Sequence, residues 1–271
     1  MLKLSAITVN WNSSDLTERL TASVDKYPPS CEWELIIVDN GSPDFDPGRF
    51  DRPHVTCIPC GENRKYARGN NTGAQRARGE YLLLLNPDIE FTEGSADILV
   101  DYLDRHAEYG AACPRLILPD GSTDRSVRGF PYMLPLVLSY LHIPSSYLLP
   151  GMDYDREQDV LQPMTSSLLI RKSVFDSLGG FDEQFPIFFN DVDLLYRARL
   201  QGVRVRYLPS SRMKHVHGGS TRRADPALMK RESCLSLIRF YKKHFSKRYG
   251  PILIALFAAA IGLVIPKEGN K

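Results

Sequence analysis

The first half of the chain alternates short apolar runs with longer mixed stretches. Leu4-Ser-Ala-Ile-Thr-Val9, Glu34-Leu-Ile-Ile-Val38 and Tyr81-Leu-Leu-Leu-Leu85 are nearly unbroken in apolar character, whereas Leu16 to Val24 is amphipathic. A strand covered on both faces reads as a continuous apolar run, and connecting helices read as amphipathic intervals. The pattern therefore predicts an α/β protein built on parallel strands, with further helices over Asn70–Arg78 and Gly94–His106 and a strand-like run from His54 to Ile58.

The middle of the chain, Leu116 to Gln162, is punctuated by Pro119, Pro131, Pro135, Pro144 and Pro150. It is predicted as a long irregular stretch of the kind that forms lids and substrate loops. Order resumes with a strand at Met164–Ile170, a short helix at Lys172–Leu178, a turn at Gly179-Gly180 and a helix over Asp191–Gln201. Gly202 stops that helix ahead of a strand at Val203–Leu208. From Pro226 to Tyr249 a basic helix sets Leu228, Leu235, Ile238 and Phe245 against Lys230, Arg231, Arg239, Lys242 and Lys243. The apolar run Ile252–Ile265, interrupted by Gly262, is shorter than the roughly 20 residues of a spanning helix. It is predicted to lie in a membrane interface, helped by the basic helix before it. Packing back on the domain, or pairing two copies as a homodimer, is the other use open to it. The expected division is a catalytic domain over 1–225 and a membrane-associating or packing tail over 226–271.

Composition narrows the class. With 43% hydrophobic and 24% charged residues, the 271-residue chain matches a globular enzyme. The 34 Lys and Arg against 32 Asp and Glu leave a net charge of +2, which gives no ground for nucleic-acid binding. Five cysteines do not form a secreted disulfide framework, and Cys57-Ile-Pro-Cys60 has no second pair to complete a metal site. Met1 to Val9 enters a strand directly, so a cytoplasmic setting without a cleaved signal is expected. Neither GxGxxG nor a phosphate-binding Walker loop occurs, which disfavours nicotinamide enzymes and P-loop kinases.

Three apolar runs end in polar residues: Val9-Asn10-Trp11-Asn12, Val38-Asp39-Asn40-Gly41-Ser42 and Leu85-Asn86-Pro87-Asp88. Open α/β sheets bind ligands at such strand ends. Asp39 can accept hydrogen bonds from a base or ribose and Trp11 offers a stacking face, although Asp39 ahead of Gly41 also fits a plain turn. Asp88, delivered at the end of a buried strand, suits a divalent cation that also takes diphosphate oxygens; an Asn-Pro-Asp turn is the simpler use of the same tripeptide.

Taken together, these strand ends, Glu62-Asn63 with Ala67-Arg-Gly-Asn-Asn71-Thr-Gly73, Leu84-Leu-Asn-Pro-Asp88, Gly179-Gly-Phe-Asp-Glu183 and Asp191-Val-Asp193 resemble the family 2 glycosyltransferases, especially their bacterial rhamnosyltransferase-like members. The resemblance runs from about Leu4 to Ser220. It implies a GT-A nucleotide-diphospho-sugar transferase fold and an inverting transfer. It implies Asp191 as catalytic base, with Asp193 as the rival; Trp11, Asp39, Asn71, Asn86 and Asp88 around the nucleotide; and Asp88 with His215 at a divalent Mg or Mn ion. His217 is the alternative to His215, and Arg222-Arg223 can meet phosphate. The expected donor is dTDP-rhamnose, with a UDP-hexose as the alternative. The expected acceptor is a glycan or polyprenyl-linked sugar at the inner face of the cell membrane. Asn86 and Asn190 stand where relatives commonly have acids, which also leaves open a non-catalytic sugar-nucleotide-binding homologue, and Lys65 stands where they commonly have Gly, which sets that loop apart.

Overall fold

The computed structural model describes residues 2–216 and 225–262. In chain order the first half contains β1 (Leu4–Asn10), α1 (Ser14–Lys26), β2 (Trp33–Asp39), β3 (Val55–Pro59), α2 (Lys65–Arg76), β4 (Tyr81–Leu85), β5 (Ile89–Glu90), α3 (Ser95–Arg105) and β6 (Tyr109–Ile117). The second half contains β7 (Val127–Arg128), α4 (Met133–Tyr140), β8 (Gln158–Val160), β9 (Gln162–Pro163), β10 (Ser167–Arg171), α5 (Lys172–Ser177), α6 (Asn190–Leu200) and β11 (Arg204–His215). It closes with α7 (Pro226–Phe240), α8 (Ser246–Tyr249) and α9 (Pro251–Gly262), a π-helical turn over Tyr241–Phe245 joining α7 to α8.

The main sheet runs β3-β2-β1-β4-β10-β6-β11-β5, with β8 against β11. Strands β3, β2, β1 and β4 pair in parallel, as do β6 and β11. Strand β10 is antiparallel between the two blocks, and β5 and β8 are antiparallel on β11. The leucine run of β4 shows why the strands read as continuous apolar segments. Leu82 and Leu84 join the core beneath α2, α5, α6 and α7, while Tyr81, Leu83 and Leu85 join the core beneath α1 and α3. Each such leucine contributes about 1.5–3 kcal/mol through burial, so the sheet is fixed from both faces. Helix α2 lies very close on β1: a Cβ on Gly73 would stand 2.5 Å from Ile7 Cγ2.

Several boundaries differ from the sequence expectation, each for a local reason. Helix α2 starts at Lys65 rather than Asn70. The middle stretch contains α4, whose Pro135 sits in the first turn, where its missing N–H is not needed. Strand β11 continues past Leu208 through an irregularity between Leu208 and Arg212 and reaches His215. Leu228, expected on the apolar face of the basic helix, is 49% exposed; that helix is anchored further along by buried Leu237, Phe240, Tyr241 and Phe245.

The C-terminal apolar run packs back with one face. Ile254 is buried, and the Phe257 ring stacks on Tyr241 at 4.6 Å. Its other face leaves Ile252, Leu253 and Leu256 exposed. Residues 263–265 of the run lie outside the described residues. Among the described residues, no helix is long and apolar enough to cross a membrane.

Candidate active site

The parallel strands β2, β1 and β4 are adjacent, so their carboxyl ends meet on one edge of the sheet. Asn10 stands in register with Asp39, and Thr8 with Leu85, which sets Asn86 beside Val9. A cavity of about 280 Å³ opens there, lined by Val9, Trp11, Asn40, Lys65 and Asn86 on one side and by Phe188, Phe189, Asn190, Asp191 and Met229 on the other. Trp11, Asn86 and Asp191 thus share one cavity although they come from three distant parts of the chain.

Asp191 occupies the first turn of α6, and its placement is over-determined. Phe189 enters the helix at φ 64°, a left-handed conformation that a bulky residue holds only where its surroundings enforce it. Its carbonyl accepts from the Asp193 N–H at 2.8 Å. Asn190 donates its amide to the Ile187 carbonyl at 2.7 Å and accepts from the Asp191 N–H at 2.8 Å. An amide can do both; a carboxylate could only accept, which gives Asn190 a physical reason to stand there. Gln162 Nε2 donates to Asp191 Oδ2 at 3.2 Å, and the Val192 N–H donates to Oδ1 at 2.8 Å. Burial pushes the Asp191 carboxyl up to about 6 despite those backbone donors. A carboxylate so tuned is still mostly ionised at neutral pH yet more basic than an ordinary one, and is suited to take a proton from a hydroxyl.

Asp193, the other carboxylate of the motif, is fully buried and faces away from this task. Its Oδ1 accepts from Lys243 Nζ at 2.6 Å and His244 Nε2 at 2.7 Å, and its Oδ2 accepts from Arg197 Nε at 2.7 Å. Burial would raise its pKa, but the hydrogen bonds of His244 and Lys243 and the Arg197 charge hold it below the usual carboxylate range. Lys243 and His244 both lie in the π turn, so the C-terminal helices are bolted to the helix that carries Asp191.

Asp88 and His215 are brought together by the antiparallel pairing of β5 with the end of β11, which sets His215 opposite Ile89. His215 Nε2 is 3.6 Å from Asp88 Oδ1, and Nδ1 is 2.8 Å from Asp124 Oδ2. Burial would lower the imidazole, but the Asp124 hydrogen bond and the carboxylate charges of Asp88 and Asp124 outweigh it and raise it to about 9. The separation of Asp88 and His215 is wider than a hydrogen bond and near the roughly 3 Å between two ligands of one small cation. A ring whose far nitrogen is held by a carboxylate is also a usual metal-ligand arrangement. The donor set fits a hard cation that arrives with a diphosphate. Among the described residues no group of three His, Cys, Asp or Glu is placed to hold a metal ion by itself, so phosphate oxygens and water would complete the shell. Neither Asp88 nor His215 lines the cavity wall itself. His217, Arg222 and Arg223 lie outside the described residues.

Two other expected residues are engaged elsewhere. Asp39 accepts from Asn10 Nδ2 at 2.8 Å through Oδ1 and from the Gly41 and Ser42 N–H groups at 3.0 Å through Oδ2, so its carboxylate shapes the turn after β2. The Asn71 amide closes on Phe181, donating to its carbonyl at 2.9 Å and accepting from its N–H at 2.9 Å, and so ties α2 to the Gly179-Gly180 turn. Neither lines the cavity. Cys57, Cys60 and the other three cysteines are free; burial and then the Asp39 charge push Cys57 up to about 11, far from a reactive thiolate. Asp124, Gln162 and Phe189 escaped sequence reasoning, because none stands at a strand end or in a recognisable spacing.

Comparison with known proteins adds four results. The model of the family described as glycosyl transferase family 2 matches residues 5–177. The N-acetylglucosaminyl-diphospho-decaprenol L-rhamnosyltransferase of Mycobacterium tuberculosis is 30% identical over 250 residues, 83% of this chain and 79% of that protein. Among solved structures, the mannosyltransferase PcManGT from Pyrobaculum calidifontis, in complex with GDP-Man and Mn²⁺, superposes with a TM-score of 0.63 at 15% identity over 99% of this chain and 76% of that one. GalNAc-T7 with UDP, GalNAc and Mn²⁺ gives the same TM-score at 14% identity over 89% of this chain, which spans about half (48%) of the GalNAc-T7 chain. The fold is that of the GT-A transferases.

Proposed function

Since the chain belongs to glycosyl transferase family 2 and is a glycosyltransferase, we propose that it transfers L-rhamnose from dTDP-rhamnose, with inversion, to a diphosphate-linked glycan acceptor on a polyprenyl carrier. The observation that carries this reading is the single cavity holding Trp11 and Asn86 from the sheet edge and Asp191 from α6. The rhamnosyl donor and lipid-linked acceptor are favoured by the mycobacterial relative, which bears both in its name.

In the reaction the nucleotide lies against the β1, β2 and β4 ends, with Trp11 as its stacking face and Asn86 beside the diphosphate. Asp39 acts by holding the turn that presents Asn40. Asn71 acts by fixing the Gly179-Gly180 turn. Asp191 accepts the proton of the acceptor hydroxyl as that oxygen attacks the anomeric carbon from the side opposite the diphosphate. Asp88 and His215 would hold a divalent ion, Mg or Mn, which would supply positive charge against the departing nucleotide diphosphate. Asp124 fixes the ring of His215.

The membrane is the proposed setting. Leu134, Tyr140 and Leu141 on and after α4 are exposed, as are Ile252 and Leu256 on α9. Helix α4 meets α8, which leads directly into α9, where the Met133 N–H donates to the Tyr249 hydroxyl at 3.2 Å, with Lys247 and Arg248 on α8 beside it in sequence. Apolar side chains flanked by cations suit an anionic lipid surface, at which a polyprenyl acceptor is presented.

The test is transfer from dTDP-rhamnose to a short-chain GlcNAc-diphosphate-prenyl acceptor with Mg²⁺ or Mn²⁺, product anomericity being read by NMR. Formation of the α-linked product from the β-linked donor supports the reading. Turnover with UDP-hexoses but not with dTDP-rhamnose would replace the donor, and retention of configuration would remove the base mechanism.

A further inference from the structure

Lys65 combines a strained backbone with a place in the cavity wall. Its φ is 63°, in the left-handed region that a non-glycine residue enters at a cost. The conformation is held from both sides: the Lys65 N–H donates to Asn63 Oδ1 at 2.9 Å, and Asn40 Nδ2 donates to the Lys65 carbonyl at 3.0 Å. Glycine would take this position without strain, so a lysine there calls for a use of its side chain. That side chain reaches the Trp11 ring, with Nζ 6.0 Å from its centroid. None of the ion pairs among the described residues involves Lys65, and among the described residues that line the cavity it is the only cation, as Asp191 is the only anion.

We propose that Lys65 is a donor-binding residue, whose ammonium meets the diphosphate of a nucleotide stacked on Trp11. This rests on the nucleotide-sugar reading of the cavity and adds a protein-borne positive charge to it. A nucleoside diphosphate brings at least two negative charges into a wall whose other described residues are amides, hydroxyls, aromatic and aliphatic side chains and one carboxylate. An ammonium at the edge of the stacking face is placed to offset them.

The experiment measures binding of dTDP, thymidine and farnesyl diphosphate to the full chain by calorimetry, for the native protein and for Lys65→Gly and Lys65→Met. Both variants are expected to lose about tenfold in dTDP affinity, less at high salt, while thymidine binding changes little. Lys65→Gly is expected to melt about 2 °C higher at the same time, because the strain is relieved; a merely structural lysine would not couple lost affinity to gained stability. Unchanged dTDP affinity in both variants overturns the assignment, as does a loss confined to farnesyl diphosphate, which would place the ammonium at the acceptor. A native protein that binds neither dTDP nor UDP would instead overturn the nucleotide-sugar reading itself.

Discussion

Replacing Asp193 by Asn tests how firmly the C-terminal helices hold α6, the helix that carries Asp191. Asp193 has no exposure, and two cations, Lys243 and Arg197, converge on it together with the His244 ring. Breaking a buried charge cluster by removing one partner costs about 3–5 kcal/mol. Part of that loss is offset here, because Lys243 keeps Asp182 at 2.7 Å and Arg197 keeps the Leu178 and Gly180 carbonyls. A loss of about 3 kcal/mol is therefore expected, which for a domain of this size lowers the melting temperature by roughly 6–12 °C. The pH dependence has a definite sign. The folded carboxyl is held below its unfolded value, so its contribution is present above the unfolded pKa and fades as pH falls through the folded one. The gap between native and variant, followed by circular dichroism, should thus be widest near pH 7 and narrow towards pH 3. A variant that melts within 2 °C of the native protein at pH 7, or a gap that does not narrow in acid, would refute the cluster as a clamp.

Three further outcomes are expected. Asp88→Ala should weaken dTDP binding about tenfold or more with Mn²⁺ present and little without it, as read by calorimetry; equal losses would count against a metal role. Asp124→Asn, which keeps the shape beside His215 but removes the charge, should cut Mn²⁺-dependent turnover by 10- to 100-fold while leaving metal-free dTDP binding unchanged. Ile252→Glu combined with Leu256→Glu should abolish flotation with anionic liposomes and leave melting unchanged, since both side chains are exposed; persistent flotation would move the lipid contact elsewhere.

Much of the sheet was legible because its strands are buried on both faces and so announce themselves as apolar runs. Their polar ends marked Trp11, Asn86 and the turn at Asp39 for the same reason. The first turn of α6 was legible as a motif carrying Asp191, but not what holds Asp191 there: the left-handed Phe189 and the Gln162 amide arise from tertiary contacts with no local signal. Asp124 lies 91 positions before His215 in an unpatterned loop, so no spacing could pair them. The strand carrying His215 was read as ending at Leu208, because Pro209 and two serines interrupt its apolar pattern at the irregularity before Arg212. Helix α4 was hidden among prolines. The tail was ambiguous in sequence because an apolar helix with little amphipathic contrast serves equally against lipid or protein. The structure gives α9 a packed face through Ile254 and Phe257, and an exposed one.

The most direct test of the account is the pH profile of transfer by the native enzyme beside Asp191→Asn. Burial sets the Asp191 carboxyl at about 6, and the base works only when ionised. Native kcat/KM should therefore rise tenfold per pH unit below about 6 and level off above it. Asp191→Asn should lose at least a thousandfold in kcat, show no such limb, and bind dTDP as the native protein does. A variant that turns over at near-native rate, or that keeps the acidic limb, would contradict the assignment of Asp191 as the base and with it the mechanism proposed for the cavity.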